Sequence, residues 1–259
     1  MAASLPFLRE RFPTHKAYSE ATLDQVLGDR RVLAHRVSVN TLSSMAFINS
    51  GNAFRAVNLP REAQFSPAFS VNVADVDGDG NEDVFLSQNF FDLEPEVARI
   101  DAGVGLWLRG DGHGGLEPLP ASKSGVRVLG EQRGAALCDY DEDGRVDLVV
   151  TQNGGRTRLF HNVGAKPGLR VKLQGPSGNP DGINAVLRLE FEGHEGPARE
   201  IHAGSGYWSQ DSATQVLATP TEPKALWIRW PGGHITTTPI PPHAKQVTVD
   251  TEGKIVGAQ

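Results

Sequence analysis

Two copies of a nine-residue, aspartate-rich loop constrain the fold of this 259-residue chain more than any other feature. Residues 75–83 read DVDGDGNED, and residues 139–147 read DYDEDGRVD. The copies start 64 residues apart, and a short apolar stretch precedes and follows each one. Repeats of this length, with about four short strands each, are typical of β-propeller blades. The sequence therefore predicts an all-β protein in which each loop is a turn between two strands.

The repeat continues beyond the loops. A Gln-Asn pair follows each copy, and then comes an apolar strand that ends in a glycine-containing turn, at residues 105–112 and 157–164. Residues 45–54 echo this last strand without an acidic loop. We therefore expect residues 32–165 to form a partial β-propeller of two full blades plus part of a third.

A closed propeller needs at least four blades, so this number of repeats predicts open sheet edges. Two explanations stay open. Either the chain is the C-terminal part of a larger propeller protein, or it closes by self-association through those edges.

The flanking regions have different patterns. Residues 1–31 form an N-terminal segment in which helical spacing over residues 15–27 predicts one short amphipathic helix that ends at Gly28. From residue 166 to residue 259, strands separated by Gly/Pro turns predict a separate small β-sandwich or barrel-like domain. The strands are predicted at residues 169–173, 185–191, 198–202, 225–230 and 246–250.

Composition excludes several classes of protein. The net charge is −6, and residues 66–162 hold 17 acidic and 8 basic residues, which argues against a nucleic-acid partner. No apolar run approaches the roughly 18 residues that a membrane span needs. The single cysteine excludes an internal disulfide and a cysteine-based zinc cluster. The apolar start of the chain is broken by Arg9, so it does not read as a signal peptide, and export would depend on further sequence.

The loops share the form D-x-D-x-D-G-x-x-D, which places carboxylates at positions 1, 3, 5 and 9 and a backbone carbonyl at position 7. Oxygen-only ligands of this kind select a hard cation such as Ca²⁺. An EF-hand is excluded because position 12 is apolar, Leu86 in one loop and Val150 in the other. The alternative is an acidic solvated turn without an ion. The candidate ligands are the carboxylates of Asp75, Asp77, Asp79, Asp83, Asp139, Asp141, Asp143 and Asp147, and the carbonyls of Asn81 and Arg145.

These loops resemble the FG-GAP/VCBS repeats of integrin α-subunit heads and bacterial surface proteins. Downstream, residues 175–183, 203–213 and 229–233 resemble three segments of the ASPIC/UnbV domain, which follows such repeats in relatives of cartilage acidic protein. Residues 216–220 depart from the pattern of that domain. The resemblance implies propeller blades and two structural calcium ions on the loop aspartates, and it implies no chemistry for the ASPIC/UnbV domain.

We therefore expect a non-enzymatic calcium-binding module for binding or adhesion, which acts at the cell exterior, the cell surface or the periplasm on a protein or glycan ligand. Two alternatives remain. One is a lectin-like protein that stacks sugars on Tyr207, Trp208, Trp227 or Trp230, although most of these aromatic residues should be core. The other is an enzyme of a biosynthetic pathway on a propeller scaffold. For Ser209 and Asp211, holding a turn is the better interpretation than catalysis, and the G-x-G-x-x-G at residues 110–115 predicts a hairpin turn.

Overall fold

A computed structural model of the chain describes residues 5–95 and 97–259. The apolar start of the chain, residues 1–7, therefore lies partly outside the described residues. Contacts divide the chain into two compact units, residues 1–42 and residues 43–259. The predicted boundaries at residues 32 and 166 stay predictions.

The described part of the first unit contains three one-turn α-helices, and the segment predicted as one helix, residues 15–27, is divided into two of them. Thr22 breaks that helix because it caps a new one. Its hydroxyl accepts from the Gln25 N–H (3.3 Å), and its own N–H donates to the Gln25 side chain (2.8 Å). Gly28 ends the last α-helix, as predicted, with a φ of 52°. The elements are α1 (Phe7–Arg11), α2 (His15–Ser19) and α3 (Leu23–Leu27), then a 3₁₀-helix (Gly28–Leu33).

The second unit begins with three antiparallel sheets whose strands follow chain order. One of these sheets is a hairpin of β1 (Met45–Asn49) and β2 (Phe54–Asn58). The other two contain the aspartate loops and are called sheet one and sheet two. Sheet one comprises β3 (Val71–Ala74), β4 (Asp83–Leu86), β5 (Leu106–Gly110) and β6 (Leu116–Leu119). After the short helix α4 (Ala121–Ser124), sheet two comprises β7 (Glu131–Cys138), β8 (Asp147–Asn153) and β9 (Arg158–Phe160).

The strands of the repeat confirm the sequence pattern. Residues 75–83, here called loop one, join β3 to β4, and residues 139–147, called loop two, join β7 to β8. The second repeat has three strands where four were expected. After β9 the Asn162 amide donates to the carbonyls of Val76 in loop one (2.8 Å) and Val146 in loop two (3.2 Å), which ties this segment to both loops. Residues 5–95 and 97–259 form no closed ring of sheets, so the propeller remains a prediction.

Eight further strands form a β-sandwich. One sheet has the order β13-β10-β16-β17, with β10 and β16 parallel, and the other has the order β12-β11-β14-β15, antiparallel throughout. The strands are β10 (Leu169–Gln174), β11 (Val186–Glu190), β12 (Arg199–Glu200), β13 (Gln215–Leu217), β14 (Ala225–Arg229), β15 (Ile235–Pro239), β16 (Gln246–Asp250) and β17 (Ile255–Ala258).

The five predicted strands of this region are all present, and β14 shows why they form. Leu226, Ile228 and Trp230 are buried between the two sheets, while Trp227 is half-buried and Arg229 is exposed. This alternation buries one face of the strand, and each fully buried leucine or isoleucine contributes about 2 kcal/mol.

The sandwich also contributes to the core of the neighbouring sheets. A second hydrophobic cluster lies between sheets one and two and contains Phe85, Trp107 and Val150, all buried. Val216, on β13 of the sandwich, belongs to the same cluster. The sandwich therefore packs against both loop-bearing sheets within the second unit.

Candidate metal centre

Loop one is built around the carboxylates at its first and last positions. Asp75 accepts backbone hydrogen bonds from Gly78 (2.6 Å) and Gly80 (2.6 Å), one on each oxygen. Asp83 accepts from the backbone N–H of Gly110 (2.9 Å) at the end of β5. Gly80 has a φ of 95°, which a side chain would disfavour, so the glycine at position 6 allows the chain to reverse.

Loop two repeats this construction. Asp139 accepts from the backbone of Asp143 (3.0 Å) and Gly144 (2.9 Å), and Gly144 has a φ of 82°. Asp147 accepts from the backbone N–H of Asn162 (2.8 Å), just after β9. The two loops thus have the same backbone frame, as the sequence repeat predicts.

The structure brings three of the four predicted carboxylates of each loop together. In each group, one oxygen of every carboxylate lies within 4.8 Å of the others, which is close enough to share one ion. The groups are Asp75, Asp77 and Asp83 in loop one, and Asp139, Asp141 and Asp147 in loop two.

The carboxylates at position 5 lie outside these two groups, although Asp143 forms a further group with Asp141 and His161. Both position-5 carboxylates make ion pairs. Asp79 pairs with Arg109 on β5 (2.7 Å), and Asp143 pairs with the side chain of Arg145. The backbone N–H groups of Asn81 and Arg145 donate to these same two aspartates, at 2.9 Å each. The ligand role of the Asn81 and Arg145 carbonyls stays a prediction.

Burial makes the converging carboxylates costly without a counter-ion. Asp83 and Asp147 are 1% and 0% exposed. Burial, with the negative charges of Asp77 and Asp75, raises the pKa of Asp83 to about 6 despite two backbone N–H donors. Burial likewise raises the pKa of Asp75 and Asp147. An all-oxygen set of dehydrated, mutually repelling carboxylates fits a hard divalent cation.

Two arginines of the sandwich reach the loops, and the sequence alone did not indicate either. Arg170 on β10 is buried, and its Nε lies 2.9 Å from Asp139 in loop two. Arg199 on β12 donates to both carboxylate oxygens of Glu82 in loop one (2.7 and 2.6 Å). Each loop therefore contacts a cation from a strand that is distant in sequence.

Asp211 joins the sandwich to the first strand of each loop-bearing sheet, β3 and β7, which are edge strands. Its Oδ1 accepts from the Leu137 N–H on β7 (2.7 Å) and from the Asn72 amide on β3 (3.0 Å). Ser212 completes the junction by donating its N–H to the Leu137 carbonyl (2.8 Å). The β7 edge, which the repeats alone would leave open, is covered at this point. Ser209 donates its hydroxyl to the Ser205 carbonyl, which supports the turn interpretation.

A cavity of about 450 Å³ lies beside this junction, between β3 and the sandwich. It is lined by Val71 and Val73 of β3 and by polar residues that include Glu82, Arg199 and His202. The Glu82–Arg199 ion pair already joins two of these groups across the cavity.

The four aromatic residues considered for sugar stacking differ in exposure. Trp230 is in the sandwich core and donates its indole N–H to Thr236 (3.0 Å). Trp208 is 94% exposed, stacks on Tyr207 with ring centroids 6.3 Å apart, and has a φ of 51°. The expectation that most of these residues are core is therefore wrong: Trp230 is core, Trp227 is half-buried, and Tyr207 and Trp208 are exposed. The G-x-G-x-x-G segment is a hairpin turn, in which the Asp111 N–H donates to the Gly115 carbonyl (3.1 Å).

Comparison with known proteins supports one part of the resemblance. Residues 175–256 match the family described as ASPIC and UnbV, which places this domain over most of the sandwich. All three sequence segments quoted for that domain overlap this range. No curated protein matches the chain. In the part of the chain that the structure describes, no helix is long and apolar enough to cross a membrane.

Proposed function

We propose that this chain is a non-enzymatic, calcium-binding module for binding or adhesion outside the cytoplasm, in which calcium is structural. The observation that carries the proposal is the convergence of three carboxylates in each loop, with the carboxylates at positions 1 and 9 held by backbone N–H groups. A bound divalent cation would neutralise each group and fix the turn between two strands.

The remaining parts of the proposal follow from the chemistry of the loops. Oxygen sites of extracellular modules bind calcium at about 10⁻⁴–10⁻³ M, so they fill where calcium is abundant. The surrounding contacts favour a structural role for the ion. Arg109 and Arg145 pair with the carboxylates at position 5, and the carboxylate at position 9 of each loop is buried. The ligand would be a protein or a glycan.

Thermal unfolding and calorimetric titration test the proposal. At a calcium concentration of about 100 times the dissociation constant, each occupied site should raise the free energy of unfolding by about 2.7 kcal/mol. The melting temperature should then rise by several degrees. Titration should give two sites. Asp77→Asn and Asp141→Asn should each remove one, whereas Asp101→Asn, an exposed carboxylate outside the loops, should remove none. No calcium-dependent heat and no change in melting on addition of EDTA would overturn the proposal.

Trp208 supports a second candidate, a carbohydrate-binding protein. An exposed indole that rests on Tyr207 offers a flat apolar surface of the kind that stacks on sugar rings. A glycan array should then show binding that Trp208→Ala abolishes and Trp227→Ala leaves intact. Equal binding by both variants would contradict this candidate.

A further inference from the structure

The strands that lie beside the two loops carry different residues at one equivalent position, Arg109 near loop one and His161 near loop two. Arg109 lies near the end of β5, and His161 directly follows β9. β5 pairs with β4, which leaves loop one, in the same register as β9 pairs with β8, which leaves loop two. The next residue in each case donates its N–H to the last aspartate of the loop. The matching pairs are Leu108–Val84 and Phe160–Leu148 between strands, and Gly110–Asp83 and Asn162–Asp147 between backbone and carboxylate.

In loop one this position presents a permanent cation. Arg109 places its Nε 2.8 Å from Asp77 and a terminal nitrogen 2.7 Å from Asp79. A guanidinium is always protonated in proteins and has no lone pair to offer a metal. Arg109 therefore competes with an incoming ion for positions 3 and 5 of loop one and adds no ligand.

In loop two the same position presents an imidazole. The Nε2 of His161 lies 3.0 Å from Asp141 and 3.6 Å from Asp143. One ligand atom from each of the three residues lies within 4.8 Å of the others. A neutral imidazole nitrogen is a common ligand of Zn²⁺ and related ions, whereas Ca²⁺ takes oxygen.

The separations fit such an ion. Zn²⁺ lies about 2.0–2.2 Å from nitrogen and carboxylate ligands, so neighbouring ligands at 90–110° stand about 2.9–3.4 Å apart. The distance from His161 to Asp141, 3.0 Å, lies within that range, and the distance to Asp143, 3.6 Å, lies just above it. Arg145 contacts Asp143 as well, so Asp141 and His161 are the pair that a transition metal reaches without displacing an arginine.

We propose that loop two accepts nitrogen-preferring divalent ions such as Co²⁺ and Zn²⁺ through His161, whereas loop one, closed at this position by Arg109, is restricted to oxygen-preferring ions. The inference rests on the proposed function, since it concerns the cation class of the same loops. It makes His161 the residue that determines specificity.

Co²⁺ titration of tag-free protein tests the inference, because the visible absorption of bound Co²⁺ changes when a nitrogen ligand replaces an oxygen ligand. The native chain should bind one Co²⁺ with such a spectrum, and His161→Arg and His161→Gln should each weaken that site roughly tenfold or more. His234→Arg, a change at an exposed histidine elsewhere, should have no effect. Arg109→His should create a second Co²⁺ site in loop one.

Tb³⁺ luminescence separates the loops. Tyr140 of loop two lies 5.6 Å from the His161 ring and can sensitise a nearby lanthanide, whereas the equivalent residue of loop one is Val76. Co²⁺ should therefore displace Tb³⁺ and quench the Tyr140-sensitised signal in the native chain, and less effectively in His161→Gln.

The outcomes distinguish two failures. Absence of calcium binding to either loop removes the proposed function. Calcium binding to both loops, together with Co²⁺ affinity and spectra that are unchanged in His161→Gln and Arg109→His, removes this inference alone. Circular dichroism of each variant checks that it folds, and Arg109→His keeps the inference testable if His161 variants do not fold.

Discussion

Asp211 should be a main determinant of the contact between the sandwich and the two loop-bearing sheets. Its Oδ1 is the acceptor for the Leu137 N–H and one of two acceptors for the Asn72 amide, which is 1% exposed. Asp211→Ala leaves the Leu137 N–H without this acceptor and removes one of the two acceptors of the Asn72 side-chain amide. An unpaired buried donor costs about 1–3 kcal/mol, and a hydrogen bond to a charged acceptor contributes about 1.5–3 kcal/mol. We expect a loss of about 3 kcal/mol in the free energy of unfolding.

Urea unfolding at neutral pH measures this loss, and the melting temperature should fall by about 6–12 °C. Asp211→Asn is the matched control, because its amide oxygen can still accept both hydrogen bonds, and it should lose about 1 kcal/mol or less. A double-mutant cycle of Asp211→Ala with Asn72→Ala should give a coupling of about 0.5–2 kcal/mol. Equal losses in the alanine and asparagine variants, or a coupling near zero, would refute the reasoning.

Two further predictions concern buried side chains. Glu131 is buried, and although burial opposes ionisation, hydrogen bonds from Phe91, Asn153 and Arg133 lower its pKa to about 2. A carboxyl group whose pKa is lower in the folded state stabilises the fold at pH values above its pKa in the unfolded state. Glu131→Gln should therefore cost about 3 kcal/mol in the free energy of unfolding at pH 7. In urea unfolding, the difference from the native chain should disappear as the pH falls from about 4.5 to about 2. Leu226→Ala, at a fully buried position of the sandwich, should cost about 2–5 kcal/mol by the same assay. The double variant with Glu131→Gln should lose the sum of the two costs, because Leu226 lies in the sandwich core and Glu131 lies on β7 of sheet two.

The sequence predicted the parts of the fold that depend on local pattern. The aspartate loops, the strands on either side of them and the alternation of Leu226 and Trp227 follow from repeats and periodicity of two. The helix predicted over residues 15–27 is interrupted, because local capping at Thr22 outweighs amphipathic spacing.

The rest of the site depends on contacts between distant residues. Arg170 and Arg199 approach the loops only because β10 and β12 pack beside sheets one and two. Asp211 holds its turn as expected, since its N–H donates to the Ser205 hydroxyl (2.8 Å), but the partners of its carboxylate lie 74 and 139 residues away. The equivalence of Arg109 and His161 could have been predicted from the sequence. Aligning the two repeats on their loops and on the apolar strand that follows, with a short gap, places these two residues together.

The junction at Asp211 also has a consequence for synthesis of the chain. β7 is made long before the residue that covers its edge, because 74 residues separate Leu137 from Asp211. At about 5–20 residues per second, translation of that stretch takes about 4–15 s. During this time the Leu137 N–H and carbonyl lack their native partners, and an uncovered strand edge is a template for pairing with other chains. Aggregation through this edge is therefore favoured more during synthesis, after Leu137 has been translated and before Asp211 has been, than in the finished fold.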